Sequence, residues 1–349
     1  MYWKYVIKRV INGIIIYIIL IFIFSALFNM QMEQTVRAMI DEKVKGEVMA
    51  QSTSGKWTPE QLMHWSKDRK TYYYELYNLN KPVFERIVSR TVDTLLFRYG
   101  KSTIIKSSFG ERDVVKIIFE TVPRTLLLFG TAAIIDVLLG TLIGIKKAQK
   151  PGKPFDKGTS IATMVVYGMP SWWLGMLMIM FFVYIVKVFP SGGMHSTPPP
   201  TGFMYHLDTL WHLTLPVLTL VIIGFWGRAF LIRNIVLGVL QDDYIMSARA
   251  RGIPERKVLF GHALRTAAPP IITMALLSLL VSVSGGILFE SIFSWSGMGN
   301  LYWISVEQSD IPVLMGDLSF TTGLYICGLV ILDLIYGFLD PRIKVSGKA

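Results

Sequence analysis

The chain has 349 residues, is 52% hydrophobic and 17% charged, and carries a formal net charge of +11. That balance is too apolar for a soluble domain of this length, and several runs approach the ~20 apolar residues needed to cross a bilayer. The basic excess follows a membrane pattern rather than that of a nucleic-acid binder, and a single cysteine, Cys327, excludes an internal disulfide and a cysteine metal site.

In chain order, the first apolar run extends from Val10 to Phe28 behind Lys4, Lys8 and Arg9. It has no small-x-small cleavage site near Ser25, so it reads as an uncleaved first span with its amino end inside. Residues 30–121 follow, with charges of both signs and two helical stretches, "TPEQLMHWSKDRKTYYYELYN" and "KPVFERIVSRTVDTLLFRYG", expected to form a small helical lobe. Gly100-Lys101-Ser102 resembles the end of a phosphate-binding loop. The glycine that motif requires five positions upstream is replaced by Leu95, so no nucleotide site is read there.

Five more spans are expected at roughly 122–145, 160–187, 212–234, 269–289 and 316–338. The loops that alternate to the inside carry Lys146, Lys147, Lys150, Lys153 and Lys157, then Arg249, Arg251, Arg256, Lys257 and Arg265, and last Arg342, Lys344 and Lys348. The short outer loops, about 188–211 and 290–315, hold neither Lys nor Arg. This asymmetry is the positive-inside pattern and puts both termini in the cytoplasm. The expected fold is an all-α membrane protein of six transmembrane helices. Residues 1–29 form the N-terminal tip and first span, 30–121 the extracytoplasmic lobe, 122–340 a five-helix core with a cytoplasmic loop at 235–268, and 341–349 a cytoplasmic tail.

Two of the carboxylates that fall inside spans are singled out. Asp136 lies near the middle of the second, where an ionised Asp costs roughly 2.5–3.5 kcal/mol on insertion scales, and Asp333 lies nearer the inner end of the sixth. A proton relay is one reading of such residues, and a hydrogen bond to a neighbouring span or a partner subunit is the other. The five histidines, His64, His195, His206, His212 and His262, show no paired ligand spacing. Pro123, Pro170 and Pro216 are expected at kinks or helix starts. No nucleophile–base arrangement stands out, and no catalysis is assigned to this chain.

The cytoplasmic loop is the most distinctive stretch. In "DDYIMSARARGIPERKVLFGHALRTAAPP", Asp242 and Asp243 suit a helix start, Gly252 suits a left-handed helix end, and Pro254 with Glu255 restarts a helix. That second helix is expected to end before Pro269-Pro270. Tyr244, Ile245, Ala248 and Ile253 are expected to form an apolar patch flanked by Arg249 and Arg251, an elbow suited to docking in a groove of another protein. A solvated loop rich in arginine by the positive-inside rule is the plainer alternative.

This loop resembles that of ABC-importer permeases of the oligopeptide/dipeptide/nickel branch, approximately D-Y-[IV]-x-[TS]-A-R-A-K-G-[LI] followed by V-x-x-x-H-x-L-R-N-A. Asp243, Tyr244, Ala248, Arg249, Ala250, Gly252, Val258, His262, Leu264 and Arg265 match it, whereas Arg251 and Thr266 replace the usual lysine and asparagine. Gly238 and Phe230 also depart, from an acidic residue and an arginine. Further matches are "FGERDVVKIIFETVPRTLLL", "GMPSWWLG", "PSGG", "HLTLPVLTL", "ESIFSWSGMGNL" and the closing "DLIYGFLDPRIK". The resemblance implies a type I importer permease in the inner or plasma membrane whose elbow is a coupling helix. Tyr244, Ala248, Arg249, Ala250, Arg251, Gly252, Ile253, His262 and Arg265 would then contact or shape the seat of an ATPase. Implied partners are a second homologous permease, two cytoplasmic ATPase subunits that hold ATP and Mg, an extracytoplasmic solute-binding protein and the bilayer, with no nucleic acid and no cofactor in this chain. Peptides are the implied cargo, with oligosaccharides or nickel as alternatives. A proton-coupled secondary transporter using Asp136 and Asp333, or a membrane receptor or assembly factor using the outer lobe, are the rivals of another class.

Overall fold

The structure, a computed structural model, describes residues 2–53, 57–282 and 285–339. Arg342, Lys344, Lys348 and the closing Asp340–Lys344 motif lie outside the described residues. Fourteen α-helices are described: α1 Tyr2–Thr53, α2 Pro59–Leu76, α3 Val83–Leu95, α4 Val114–Thr125, α5 Thr131–Gln149, α6 Pro154–Tyr167, α7 Ser171–Ile179, α8 Phe203–Leu240, α9 Asp243–Ala250, α10 Glu255–Lys257, α11 Leu264–Val281, α12 Ile287–Ile292, α13 Met298–Glu307 and α14 Ile311–Leu339. One-turn π segments at Leu126–Gly130, Met180–Ile185 and Val258–Ala263 join α4 to α5, extend α7 and lead into α11.

Among the described residues, five helical stretches are long and apolar enough to cross a membrane: Lys4–Thr53, Val114–Gln149, Phe203–Leu240, Glu255–Val281 and Ile311–Ile335. The third expected span is a bent pair, Pro154–Val166 and Ser171–Ile185, meeting at 97°, so the described residues hold five stretches able to cross, or six if that pair is one span. The break follows from the sequence. Gly168 ends α6, and Pro170 takes an extended conformation before α7, having no N–H to continue the helix.

Two boundaries differ from the sequence reading. No proline interrupts "MEQTVRAMIDEKVKGEVMAQ", so α1 runs unbroken for 52 residues, about 78 Å at 1.5 Å per residue, far longer than the bilayer's apolar thickness. The expected helix end before Pro269-Pro270 is corrected, because α11 continues through both prolines to Val281. Their missing donors are tolerated in an apolar helix whose neighbours supply packing.

The chain divides into two compact units: Met1–Arg9 with Glu120–Trp303 and Leu324–Ala349, and Val10–Phe119 with Ile304–Gly323. In the first, α5 packs along α8 because "GTLIG" in α5 presents no side chain at Gly140 and Gly144. A Cβ on Gly144 would stand 2.8 Å from the Ala229 carbonyl and from Ile232 Cβ. Small residues spaced by four are the usual means of close helix approach in membranes. One apolar cluster of this unit joins Ala148, Ile232, Val236 and Leu240 to the loop residues Ile245, Ala248, Val258 and Leu259. Another joins Leu128 and Ala132 to Leu215, Val221, Phe289, Phe293 and Trp295.

In the second unit α2 packs on the distal half of α1 through Ile40, Val44, Tyr73 and Leu79. Thr58 and Gln61 close a reciprocal cap at the start of α2, and Arg69–Glu47 (2.8 Å) and Arg86–Glu33 (2.9 Å) tie α2 and α3 to α1. In the Gly100-Lys101-Ser102 stretch the Ser102 amide donates to the Arg112 carbonyl (2.7 Å) and its hydroxyl to Asp310, which also accepts from the Ile104 and Ile105 amides (2.9 and 3.1 Å). Burial alone would push the Asp310 carboxyl up; these donors outweigh it and hold it below the usual carboxylate range.

Candidate functional site: the elbow between two spans and a buried ion pair

The elbow is built by local chain chemistry. Asp242 occupies the extended position ahead of α9, although its side chain makes no capping bond. At the other end Gly252 has φ +76°, its amide donates to the Arg249 carbonyl (2.9 Å), and the Ile253 amide donates to the Ala248 carbonyl (3.3 Å). These paired bonds are the glycine-terminated helix stop expected from the sequence. Pro254 then takes an extended conformation, one position earlier than anticipated, and α10 starts at Glu255.

The elbow is held to its own chain by more of its residues than the sequence indicated. Ile245 and Ala248 are fully buried in the cluster shared with α8 and the Val258–Ala263 turn, which corrects the expectation of a single outward apolar patch. A helix of eight residues lying on two others must bury one face, and the faces divide accordingly. Tyr244, Met246 and Phe260 are the large apolar side chains left exposed, and Ile253 is half-buried. The Tyr244 hydroxyl bonds Thr266 Oγ1 at 2.8 Å, fastening α9 to α11. Arg249 reaches the Leu240 carbonyl (3.2 Å) at the end of α8 and pairs with Glu255 (2.7 Å). Ala250, Arg251, Gly252 and Arg265 are exposed and His262 is half-buried. Arg251, Arg256, Lys257, Phe260 and His262 line an open groove of about 1030 Å³. The surface offered outward is therefore basic with apolar inserts.

The two carboxylates singled out in the sequence, Asp136 and Asp333, are both paired. Asp136 in α5 meets Arg228 in α8, with Asp136 Oδ2 accepting from Nε (2.7 Å) and Nη2 (2.6 Å), and Arg228 also donates to Ser278 Oγ in α11. Asp333 in α14 pairs with Arg9 in α1 at 3.3 Å. Neither is a lone protonatable group. Sequence reasoning singled out neither Arg228 nor the neighbouring Arg233, which binds Asp156 of α6 at 2.6 Å. It also did not single out Glu290, which is fully buried and accepts from Thr125 Oγ1 (3.0 Å) and the Asn300 amide (3.0 Å). Glu290 lies between spanning helices, and burial pushes its carboxyl up to about 7 despite those donors.

Several helices long and apolar enough to cross a bilayer, with a short elbow between two of them, define a membrane-embedded protein. Residues 137–345 match the family model for the binding-protein-dependent transport system inner membrane component, and the chain belongs to that family. It is 30% identical to the oligopeptide transport system permease protein AppB of Bacillus subtilis over 279 residues, 80% of this chain and 86% of that one. It is 33% identical to the di/tripeptide transport system permease protein DppB of Pseudomonas aeruginosa over 64% of this chain and 70% of the relative. It is 32% identical to the dipeptide transport system permease protein DppB of Escherichia coli over 64% and 73%. Permease subunits of this family are multi-pass inner-membrane components.

Proposed function

We propose that this chain forms half of the membrane pathway of an ATP-driven importer of peptides, paired with a second homologous permease. Two cytoplasmic ATPase subunits would supply the nucleotide chemistry, and an extracytoplasmic binding protein the cargo. The observation that carries this reading is the elbow: a short helix stopped by a positive-φ glycine, locked to α8 and α11 by Ile245, Ala248 and Tyr244, with a basic groove on its free side. A lever must be rigid toward the element it moves and accessible toward the element that drives it. The elbow has both properties.

In this mechanism ATP closes the ATPase dimer, the seated elbows of the two permeases are drawn together, and α8 and α11 turn so that the cavity opens outward. Hydrolysis resets the assembly. Arg251, Arg256 and Lys257 meet the ATPase seat, with both termini cytoplasmic. Peptide as cargo follows the relatives, whose names specify oligopeptides and dipeptides. The proton-coupled alternative loses its footing because Asp136 and Asp333 are each engaged by an arginine. The test is alanine replacement of Arg251, Arg256 and Lys257 together. Membrane levels should persist while the ATPase subunits dissociate on purification. Retention of stoichiometric ATPase by the triple variant would overturn this assignment of the docking face.

A further inference from the structure

The Asp136–Arg228 pair lines an open cavity of about 420 Å³ within the first compact unit, walled chiefly by Phe129, Leu220, Leu277 and Val281. Its geometry is not that of simple helix glue. Arg228 Nε and Nη2 converge on one oxygen, Asp136 Oδ2, whereas a parallel fork would engage both oxygens and spend the donors evenly. Asp136 Oδ1 is left buried without a partner. Arg228 Nη1 has only a 3.4 Å contact with the Met274 carbonyl.

The pair is also cradled from both sides. A Cβ on Gly140 of α5 would meet the Arg228 stem at 2.8–2.9 Å, and a Cβ on Gly224 of α8 would meet the Asp136 carboxylate at 2.9 Å. Each helix thus keeps a glycine where the other inserts its charge. Such a reciprocal arrangement positions a guanidinium beside a cavity while Asp136 and Ser278 fix its orientation. Ion pairs at membrane depth are poor sources of stability, and they mark functional paths.

We propose that Arg228 is a pathway subsite for the C-terminal carboxylate of a peptide in transit, received on its weakly engaged Nη1 edge, with Asp136 and Ser278 as positioning residues. This rests on the peptide-importer reading. A carboxylate is common to peptides of every side-chain sequence, so one arginine, held by Asp136 and Ser278 in a cavity whose walls are largely apolar, serves a mixed cargo. The carboxylate meets a counter-charge where the walls alone would exclude it.

The test uses the complete transporter in proteoliposomes with its binding protein, measuring ATP-driven dipeptide uptake. Because Arg228→Gln alone strands Asp136 as a buried unpaired charge, the informative variant is Asp136→Asn with Arg228→Gln, a neutral pair of similar shape. Its subunit stoichiometry and melting temperature should match wild type, while uptake falls at least tenfold. Arg228→Lys, which keeps a cation, should stay within about threefold. The wild-type-to-variant uptake ratio for a C-amidated dipeptide should stay near one. Normal uptake by the neutral double variant, or equal losses for acid and amide, would overturn the subsite. Absence of peptide uptake by the wild-type complex would instead overturn the peptide reading on which it rests.

Discussion

Substitution of Gly252 isolates the backbone geometry of the elbow from its packing. At φ +76° the residue sits in left-handed space, and no heavy atom lies within 4 Å of where its Cβ would stand. Gly252→Ala therefore adds no clash and costs only the left-handed penalty, about 1–2 kcal/mol for an ordinary L-residue. If that cost falls on the docking-competent elbow, its population drops by a factor of about 5–30. Gly252→Asn should lose less, because Asn tolerates this conformation, and Gly252→Val should lose most, because a β-branched residue at positive φ is an outlier. The assay is ATP-driven uptake by the reconstituted transporter, normalised to permease in the membrane, with the expected order Gly, Asn, Ala, Val. Wild-type uptake in the Ala and Val variants, or a greater loss for Asn than for Ala, would refute the argument that the glycine sets the elbow's turn.

Three further outcomes follow from the packing. Gly144→Ala drives a methyl into the Ala229 carbonyl and Ile232; it should cost about 1–3 kcal/mol and lower the melting temperature, and an unchanged melt would contradict the close α5–α8 contact. Asp310→Asn exchanges charged for neutral acceptors opposite Ser102, Ile104 and Ile105, where bonds to a charged group are worth roughly 1.5–3 kcal/mol and neutral ones about 1. Hydrogen exchange at the amides of 104 and 105 should then accelerate more than tenfold, and unchanged protection would remove Asp310 as the anchor of that turn. Glu290, with its folded value raised to about 7, contributes stability that is full below its unfolded value, near 4.3, is lost as pH rises through the folded value, and is flat above it. Glu290→Gln should flatten the melting temperature between pH 5 and 8, and a slope equal to wild type would show that another group sets it.

Much of the fold was legible because its signals are local. Apolar runs marked the spanning helices, Gly252 marked the elbow's stop, and Pro170 marked the break in the third span. What escaped was relational. Ile245 and Ala248 looked available for a partner because helical spacing gives a face but not its neighbour, and the face was taken by α8. The prolines at 269 and 270 looked like a stop because proline lacks a donor, yet an apolar helix with packed neighbours carried through them. Asp136 was visible as a charge at membrane depth; Arg228 and Arg233 carried the same signal in the fourth span. Matching charges of opposite sign at similar depth would have pointed to Arg228 as the partner of Asp136. Glu290 gave no such hint, since a carboxylate in an outer loop reads as solvated until Thr125 and the Gly297–Asn300 backbone close over it.

The central claim is that this chain is driven from its cytoplasmic elbow by separate ATPase subunits. Its most direct test is gentle detergent purification from the native membrane, followed by mass spectrometry of what stays bound. The account predicts stoichiometric ATPase subunits and a second homologous permease, both retained by wild type. A chain that purifies alone, or only with copies of itself, would contradict it.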